Sequence, residues 1–375
     1  MIRLSHAIGK RADAGGRWRY ASAMRRLLIP IAFVLAWPAM AAQPLYREIK
    51  DFVVACDNGG ACRALGLAQE DGGNPLLLDL HRDAGPSGKA TLRLSAARRF
   101  AARDLRVDGK TSTVSALPWR DAGDANGGAL ELQDPNAIAK FVDLARNAGA
   151  ITIGRGQDSA NLSLSGFSAA LLLVDETQGR IGNETAWLRR GAKPASAVPA
   201  AGALPALPPP PKSAALSRAQ ATSLIAAVRR QQSKLIAGEE CDTSNPDLSP
   251  DSAYALSGDE ALVLLNCFNG AYQSASLGFR IDRAGRGPAR RLVLQAPIRT
   301  GDNDGRIDYF TNADYDPASA TLSHAAKGRG LGDCGEAASW RFDGREFRLA
   351  SYAYLGRCSG ADPGDWPTLF RSAGR

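Results

Sequence analysis

Leu76-Leu77-Leu78-Asp79-Leu80-His81-Arg82-Asp83-Ala84-Gly85, then a glycine turn and Ala90-Thr91-Leu92-Arg93-Leu94, is the stretch on which the fold turns. Apolar residues fall on alternate positions, a turn follows, and the alternation resumes. That period of two marks strands with one face buried and one wet, and short turns pair such strands antiparallel. A second stretch resembles it: Phe279-Arg280-Ile281-Asp282-Arg283-Ala284-Gly285, then Gly287 and Leu292-Val293-Leu294, aligned with one gap. Two readings fit the likeness: a hairpin type that many sheets share, or duplication of one strand-rich unit.

Outward from these hairpins the pattern stays mixed. Phe52-Val53-Val54-Ala55 is a continuous apolar strand, and Leu277, Phe279 and Ile281 alternate with Gly278, Arg280 and Asp282. Trp340-Arg341-Phe342 and Arg345-Glu346-Phe347 flank Asp343-Gly344, a strong hairpin signal. Helices are fewer. Asp134-Pro135 opens one carrying Ile138, Phe141, Val142 and Ala145 until Gly149; another starts near Ser168 with Leu171, Leu172 and Val174 buried. Ser217 caps a third, with Ala221, Leu224, Ile225, Val228 and Leu235 on one face and Gly238 as its end. The expected class is α+β, mainly antiparallel sheet with a few helices.

Between Pro194 and Pro211, seven of 18 residues are proline and most others alanine. In polyproline II geometry, at about 3.1 Å per residue, that reads as a semi-rigid spacer of up to about 55 Å. The expected plan is therefore two domains, 44–192 and 216–375, joined by a linker over 193–215. At 375 residues the chain is long enough for two cores.

Leu27 to Trp37, LLIPIAFVLAW, is an apolar run preceded by Arg25-Arg26 and followed by Ala39-Met40-Ala41. Its length suits the core of a secretory signal and falls short of the about 20 residues that cross a bilayer, and the small-x-small triplet suits a cleavage site. Residues 24–41 are thus expected to be a signal peptide, with Met24 the natural start and 1–23 an upstream extension. The charge fits this reading. Of the formal +8, residues 1–41 carry +6, so the remainder holds +2, too little for a nucleic-acid binder. No other stretch is expected to span a membrane, and the expected location is the periplasm or outside the cell.

Six cysteines follow: Cys56, Cys62, Cys241, Cys267, Cys334 and Cys358. An even count in an exported chain points to disulfides, and six cysteines allow about 15 pairings. Neighbour pairing gives Cys56 with Cys62, Cys241 with Cys267, and Cys334 with Cys358. On a chain-entropy model the first would contribute about 2 kcal/mol and the others about 3.5 kcal/mol each. No Cys-x-x-Cys motif and no Cys and His spacing for zinc is present, so no cofactor is expected.

The chemistry-bearing segments are sparse. Gly330-Leu331-Gly332-Asp333-Cys334-Gly335 has the letters of a dinucleotide fingerprint, but a hairpin pattern follows where a helix is required. Gly85-Pro86-Ser87-Gly88-Lys89-Ala90-Thr91 is similarly a turn and lacks the Ser or Thr directly after Lys that a phosphate loop needs. Asp302-Asn303-Asp304-Gly305-Arg306-Ile307-Asp308 has calcium-like spacing, with Asp302, Asp304 and Asp308 as candidate ligands but no acid at the end position of the twelve-residue loop. Lys327, Arg329 and Asp333, on a glycine-rich loop beside Cys334, are candidate binding residues; the alternative is a local Arg329–Asp333 ion pair. No catalytic residue is assigned.

Asp51 to Asn58 with Cys62, Leu164 to Leu171, and above all Lys327 to Gly335 with Trp340 and Asp343-Gly344 resemble the secreted bacterial family known as domain-of-unknown-function family 1176. The first half also resembles the invasion-associated locus B proteins through its early cysteine motif and Ser-Gly-Phe segment. These resemblances imply an envelope location and no assigned reaction. The expected function is a non-enzymatic envelope module that binds a protein or glycan. The alternatives are an envelope hydrolase using the Asp-rich segment and a proteinaceous enzyme inhibitor. Oligomeric state is left open.

Overall fold

The computed structural model describes residues 42–68, 75–125, 127–154, 159–242, 249–300, 304–361 and 364–374. Residues 1–41, where the signal peptide and the upstream extension are expected, lie outside the described residues. The first half contains β1 (Leu45–Ile49), β2 (Phe52–Cys56), β3 (Cys62–Gly66), β4 (Leu76–Arg82) and β5 (Ala90–Ala96). The short strands β6 (Arg106–Val107), β7 (Lys110–Thr111) and β8 (Arg120–Asp121) follow, then β9 (Gly128–Leu132), α1 (Pro135–Ala145), β10 (Ala150–Ile153), β11 (Ala160–Ser163) and α2 (Phe167–Thr177). Seven of the strands form one antiparallel sheet in the order β1-β2-β3-β4-β5-β9-β8, and β11-β10-β6-β7 form a second.

The opening hairpin is the centre of this sheet, with Leu78 opposite Leu94 and Leu80 opposite Leu92. Its inward leucines meet both helices, where Phe141 of α1 and Phe167 of α2 complete the core and Phe167 lies 5.5 Å from Phe52. Asp134 caps α1 as its sequence predicts, accepting a hydrogen bond from Ala137 N at 2.8 Å. In α2, Leu171 and Val174 are buried and Leu172 is only partly so, because the apolar run is wider than the stripe facing the sheet. β2 is buried at every position, since both faces of the sheet are covered there.

The second half contains α3 (Arg218–Gln231), α4 (Ser233–Gly238), β12 (Ser252–Ala255), β13 (Glu260–Asn269), β14 (Ser274–Asp282), β15 (Arg290–Arg291), β16 (Leu294–Gln295), β17 (Arg306–Ile307) and β18 (Tyr309–Thr311). After these come β19 (Asp314–Asp316), β20 (Thr321–Lys327), β21 (Gly335–Phe342), β22 (Phe347–Leu355) and β23 (Thr368–Arg371). One sheet runs β12-β13-β14-β15 with β18 also on β14; β16 pairs β17; and a third runs β19-β20-β21-β22-β23, every pair antiparallel. Helices α3 and α4 cover one face of β13 and β14 through Leu224, Val228 and Ile236. The other face packs on the β19–β23 sheet through Leu262, Leu264, Phe310 and Trp340. Gly278 is buried under the Phe310 ring, which a Cβ would approach to 2.9 Å.

Two sequence expectations change, and the likeness between the two hairpins does not extend to their pairing. The helix capped by Ser217 is interrupted at Gln232, where Gln231 and Gln232 bond to the backbone of Gly287 and Ala289 and pin the helix end to that loop. The second hairpin does not repeat the first: only two residue pairs join β14 to β15 before Leu294 leaves to pair with Ile307. The Pro-rich segment lies against the body instead of spacing two units. Gly202 N bonds to Gly59 O at 3.0 Å and Ala373 N to Pro205 O at 2.9 Å, and Ala39–Arg375 forms one compact unit. A segment poor in internal hydrogen bonds has free carbonyls and amides, and here they find partners on both halves. The mainly antiparallel α+β class stands as expected. Among the described residues no helix is long and apolar enough to cross a membrane.

Candidate functional site

The three cysteine pairs are bonded as disulfides in neighbour order, Cys56–Cys62, Cys241–Cys267 and Cys334–Cys358. The glycine-rich loop between β20 and β21 is shaped by the third. A Cβ on Gly328 would stand 2.7 Å from Cys334 Sγ, and one on Gly335, whose φ is 144°, would stand 2.2 Å from Ala326 O. These glycines are required by the close approach of chain to chain. Within the loop Arg329 donates to Asp333 through Nε at 2.8 Å and Nη2 at 2.6 Å. Asp333 is buried and also accepts from Gly360 N at 2.6 Å, so it ties the two ends of the disulfide loop together. The Arg329 hydrogen bonds hold its carboxyl below the usual range despite desolvation. Lys327 is fixed through its backbone N–H to Gln273 Oε1 at 3.0 Å. The fold therefore brings Arg329 and Asp333 together, engaged with each other, and places Lys327 at a strand end beside them.

Of the Asp-rich segment, Asp302 lies outside the described residues. Asp304 accepts from Arg306 N at 3.0 Å, a turn-closing bond, and Asp308 pairs with Arg291 at 3.2 Å. Among the described residues the close group of three ligand-type atoms is Asp333 with Cys334 and Cys358, whose sulfurs are bonded to each other.

Two interior clusters were not foreseen. On the core side of the β20–β22 sheet, buried His324 accepts from Thr311 N through Nδ1 at 2.9 Å and faces Glu336 Oε1 through Nε2 at 3.2 Å. Tyr352 donates to the other Glu336 oxygen at 2.9 Å. Burial alone would raise Glu336; His324 and Tyr352 outweigh it and hold the carboxyl low, while burial and Glu336 push the Tyr352 hydroxyl up. The cluster thereby links β18, β20, β21 and β22.

The second cluster joins β4 to α2. Arg82 continues the inward row of Leu76, Leu78 and Leu80, and Asp175 lies one turn after Leu171 on the buried side of α2. Arg82 donates to Asp175 at 2.7 Å and stacks 3.8 Å over the Trp187 ring, with both charges buried. Asp175 also accepts from Trp187 N at 2.8 Å and Leu188 N at 2.9 Å. Desolvation lowers the Arg82 guanidinium to about 10 against the pull of Asp175. Charges at apolar-face positions of β4 and α2 are the sequence signal that could have found this pair.

On the outward face of the seven-stranded sheet, a cleft of about 300 Å³ lies against the segment after β22. Leu65, Leu77 and Leu355 line its apolar part, and Arg93 and Ser95 its polar part. Arg63 closes one end, reaching Asp79 at 2.8 Å and Asp365 at 3.2 Å. Both halves of the chain thus contribute walls.

A three-disulfide, mostly antiparallel α+β body with buried ion pairs and with polar groups lining its clefts is the class that these features define. The chain belongs to the family described as "Protein of unknown function (DUF1176)", whose model matches residues 46–373. It is similar to the "Uncharacterized protein YpfG" of Escherichia coli (strain K12), at 32% identity over 356 residues covering 92% of this chain and 96% of that protein. No solved structure matches the chain.

Proposed function

We propose that the protein is an exported, periplasmic module without catalytic activity that binds an envelope protein or glycan in the cleft between the seven-stranded sheet and the segment after β22. The observation that carries this reading is the cleft itself, walled by both halves and closed by the Arg63 ion pairs to Asp79 and Asp365. Its apolar floor with a few placed polar groups suits recognition. The basic and apolar residues before position 42 and the three disulfides support export. A hydrolase built on Asp302, Asp304 and Asp308 has less support, since Asp304 and Asp308 have arginine neighbours at 3.9 and 3.2 Å.

Photo-crosslinking in intact cells tests the reading. A crosslinker at Leu77 or Ser95 is expected to trap a discrete envelope adduct, while one at exposed Lys140 on α1 is not. Arg93→Gln is expected to weaken the adduct without lowering the melting temperature. Equal labelling from all three positions, or turnover of cell-wall material by the purified protein, would overturn it.

A further inference from the structure

A larger cleft, about 860 Å³, opens on the other side of the first half, between the turn of the β4–β5 hairpin, the first turn of α1 and the segment before Arg190. Arg82 and Arg180 both line it, at 3% and 1% exposure, so two guanidinium groups are withdrawn from bulk water at one place. One buried carboxylate serves them. Asp175 is bonded to Arg82 and to the amides of Trp187 and Leu188. Arg82 is engaged at each of its three nitrogens, its Nε donating to Gln178 Oε1 at 2.6 Å and its Nη1 to Thr185 O at 3.2 Å.

Arg180 is engaged at only two of its nitrogens. Its Nη2 donates to Gly85 O at 2.6 Å and its Nη1 to Thr185 Oγ1, but its Nε is buried with no hydrogen-bond partner. Among the described residues no acid forms a direct ion pair with it; desolvation lowers its pKa, and Asp175, already bonded to Arg82, opposes that only at longer range. Two buried guanidinium groups sharing one carboxylate leave an excess positive charge, which is costly away from water, and protein interiors supply a counter-charge at such places. On the rim one acid, Glu184, stands against two bases, Lys89 and Arg190. Lys89 lines the cleft, Arg190 is paired with Asp143 at 2.9 Å, and the lining acid Glu184 accepts from Ala195 N at 2.8 Å. Pro135 and Asn136 bring the N-terminal end of the eleven-residue helix α1 to the same opening, which adds positive potential, although Asp134 already caps Ala137 N.

We infer that this cleft is a binding site for an oxyanion, the phosphate or carboxylate of a small polar molecule, whose charge completes the Arg82–Asp175–Arg180 cluster. Ser87, Thr91 and Gln133 on the rim suit a hydroxyl-rich body, and Ile138 and Trp187 give it an apolar floor. The inference does not depend on the cleft at Arg63 or on export.

The test is calorimetric titration of the purified, oxidised protein with inorganic phosphate, glucuronate and, as the uncharged control, glucose, at low ionic strength where charge is weakly screened. Saturable binding of phosphate or glucuronate, weakened by added salt and absent for glucose, is expected. Response to phosphate alone points to a phosphate-bearing ligand, and response to glucuronate alone to an acidic glycan. Lys89→Glu, an exposed change, is expected to weaken binding about tenfold with the ligand-free melting temperature unchanged. Arg93→Gln, in the other cleft, is expected to leave it as it was. Absence of saturation by both anions, or equal binding by Lys89→Glu, would overturn the inference.

Discussion

Asp343 carries much of the β21–β22 turn on one carboxylate. Its Oδ1 accepts from Arg345 N at 2.8 Å and Glu346 N at 2.9 Å, and its Oδ2 from Arg348 Nε at 2.9 Å. Burial works against ionisation, but these donors prevail and hold the carboxyl at about 2, below its ordinary 3.8. A depressed folded-state pKa means stability that is full above the unfolded value and fades as pH falls through the folded one. Stability measured by urea titration should therefore drop between pH 4 and pH 2, and Asp343→Asn should lower neutral-pH stability while flattening that acid limb. At the buried pair, Asp175→Ala leaves two guanidinium groups facing each other's charge and should cost about 3 to 5 kcal/mol. The double change Arg82→Met with Asp175→Leu should recover only part of that loss in the same titration, because the amides of Trp187 and Leu188 lose their acceptor. The pair was readable in principle, since a charge stands at a core position in each of two elements. Asp175 is buried and Glu176 exposed, as helical geometry demands.

At the scale of elements, the strands, the first helix and the cysteine pairs were legible because each rests on a local rule: period two, a capping aspartate, the shortest loops. The Asp-Gly turn was legible in place and not in length. Phe342 pairs with Phe347, so four residues form the loop and the side chain of Asp343 does the closing. Helix α3 ends early because two glutamines bond to a distant loop, a tertiary effect with no local signature. Removing the Cys334–Cys358 disulfide by paired serine substitution should cost about 3.5 kcal/mol, judged from a loop separation of 24 residues, with Arg329 and Asp333 still holding the loop mouth. Denaturant midpoints of the oxidised and double-serine proteins check it.

For the whole molecule, the boundary read from proline content is real in the sequence and not in the packing. Ala55 of β2 belongs to the apolar cluster centred on Trp340, and Val53, Leu65 and Leu67 pack with Leu355 and Trp366. Such contacts are invisible to composition, because they join strands some three hundred residues apart. Unfolding should accordingly appear as one transition, coincident by circular dichroism and tryptophan fluorescence, where two independent domains would give two. Replacing Pro199 to Pro211 by a glycine and serine stretch of equal length should lower the midpoint, whereas a free tether would tolerate the change.

Asn58 donates to Arg371 O at 3.0 Å and accepts from Arg371 N at 2.9 Å, while its own N–H reaches Leu369 O at 3.2 Å. Arg371 also grips Asp57 at 2.5 Å. Until residues 369 to 371 have been synthesised, the opening sheet therefore lacks the wall that they supply. Maturation would wait on the last few residues to arrive, and the waiting intermediate, with Val53 and Leu65 uncovered, is where an escort would be needed.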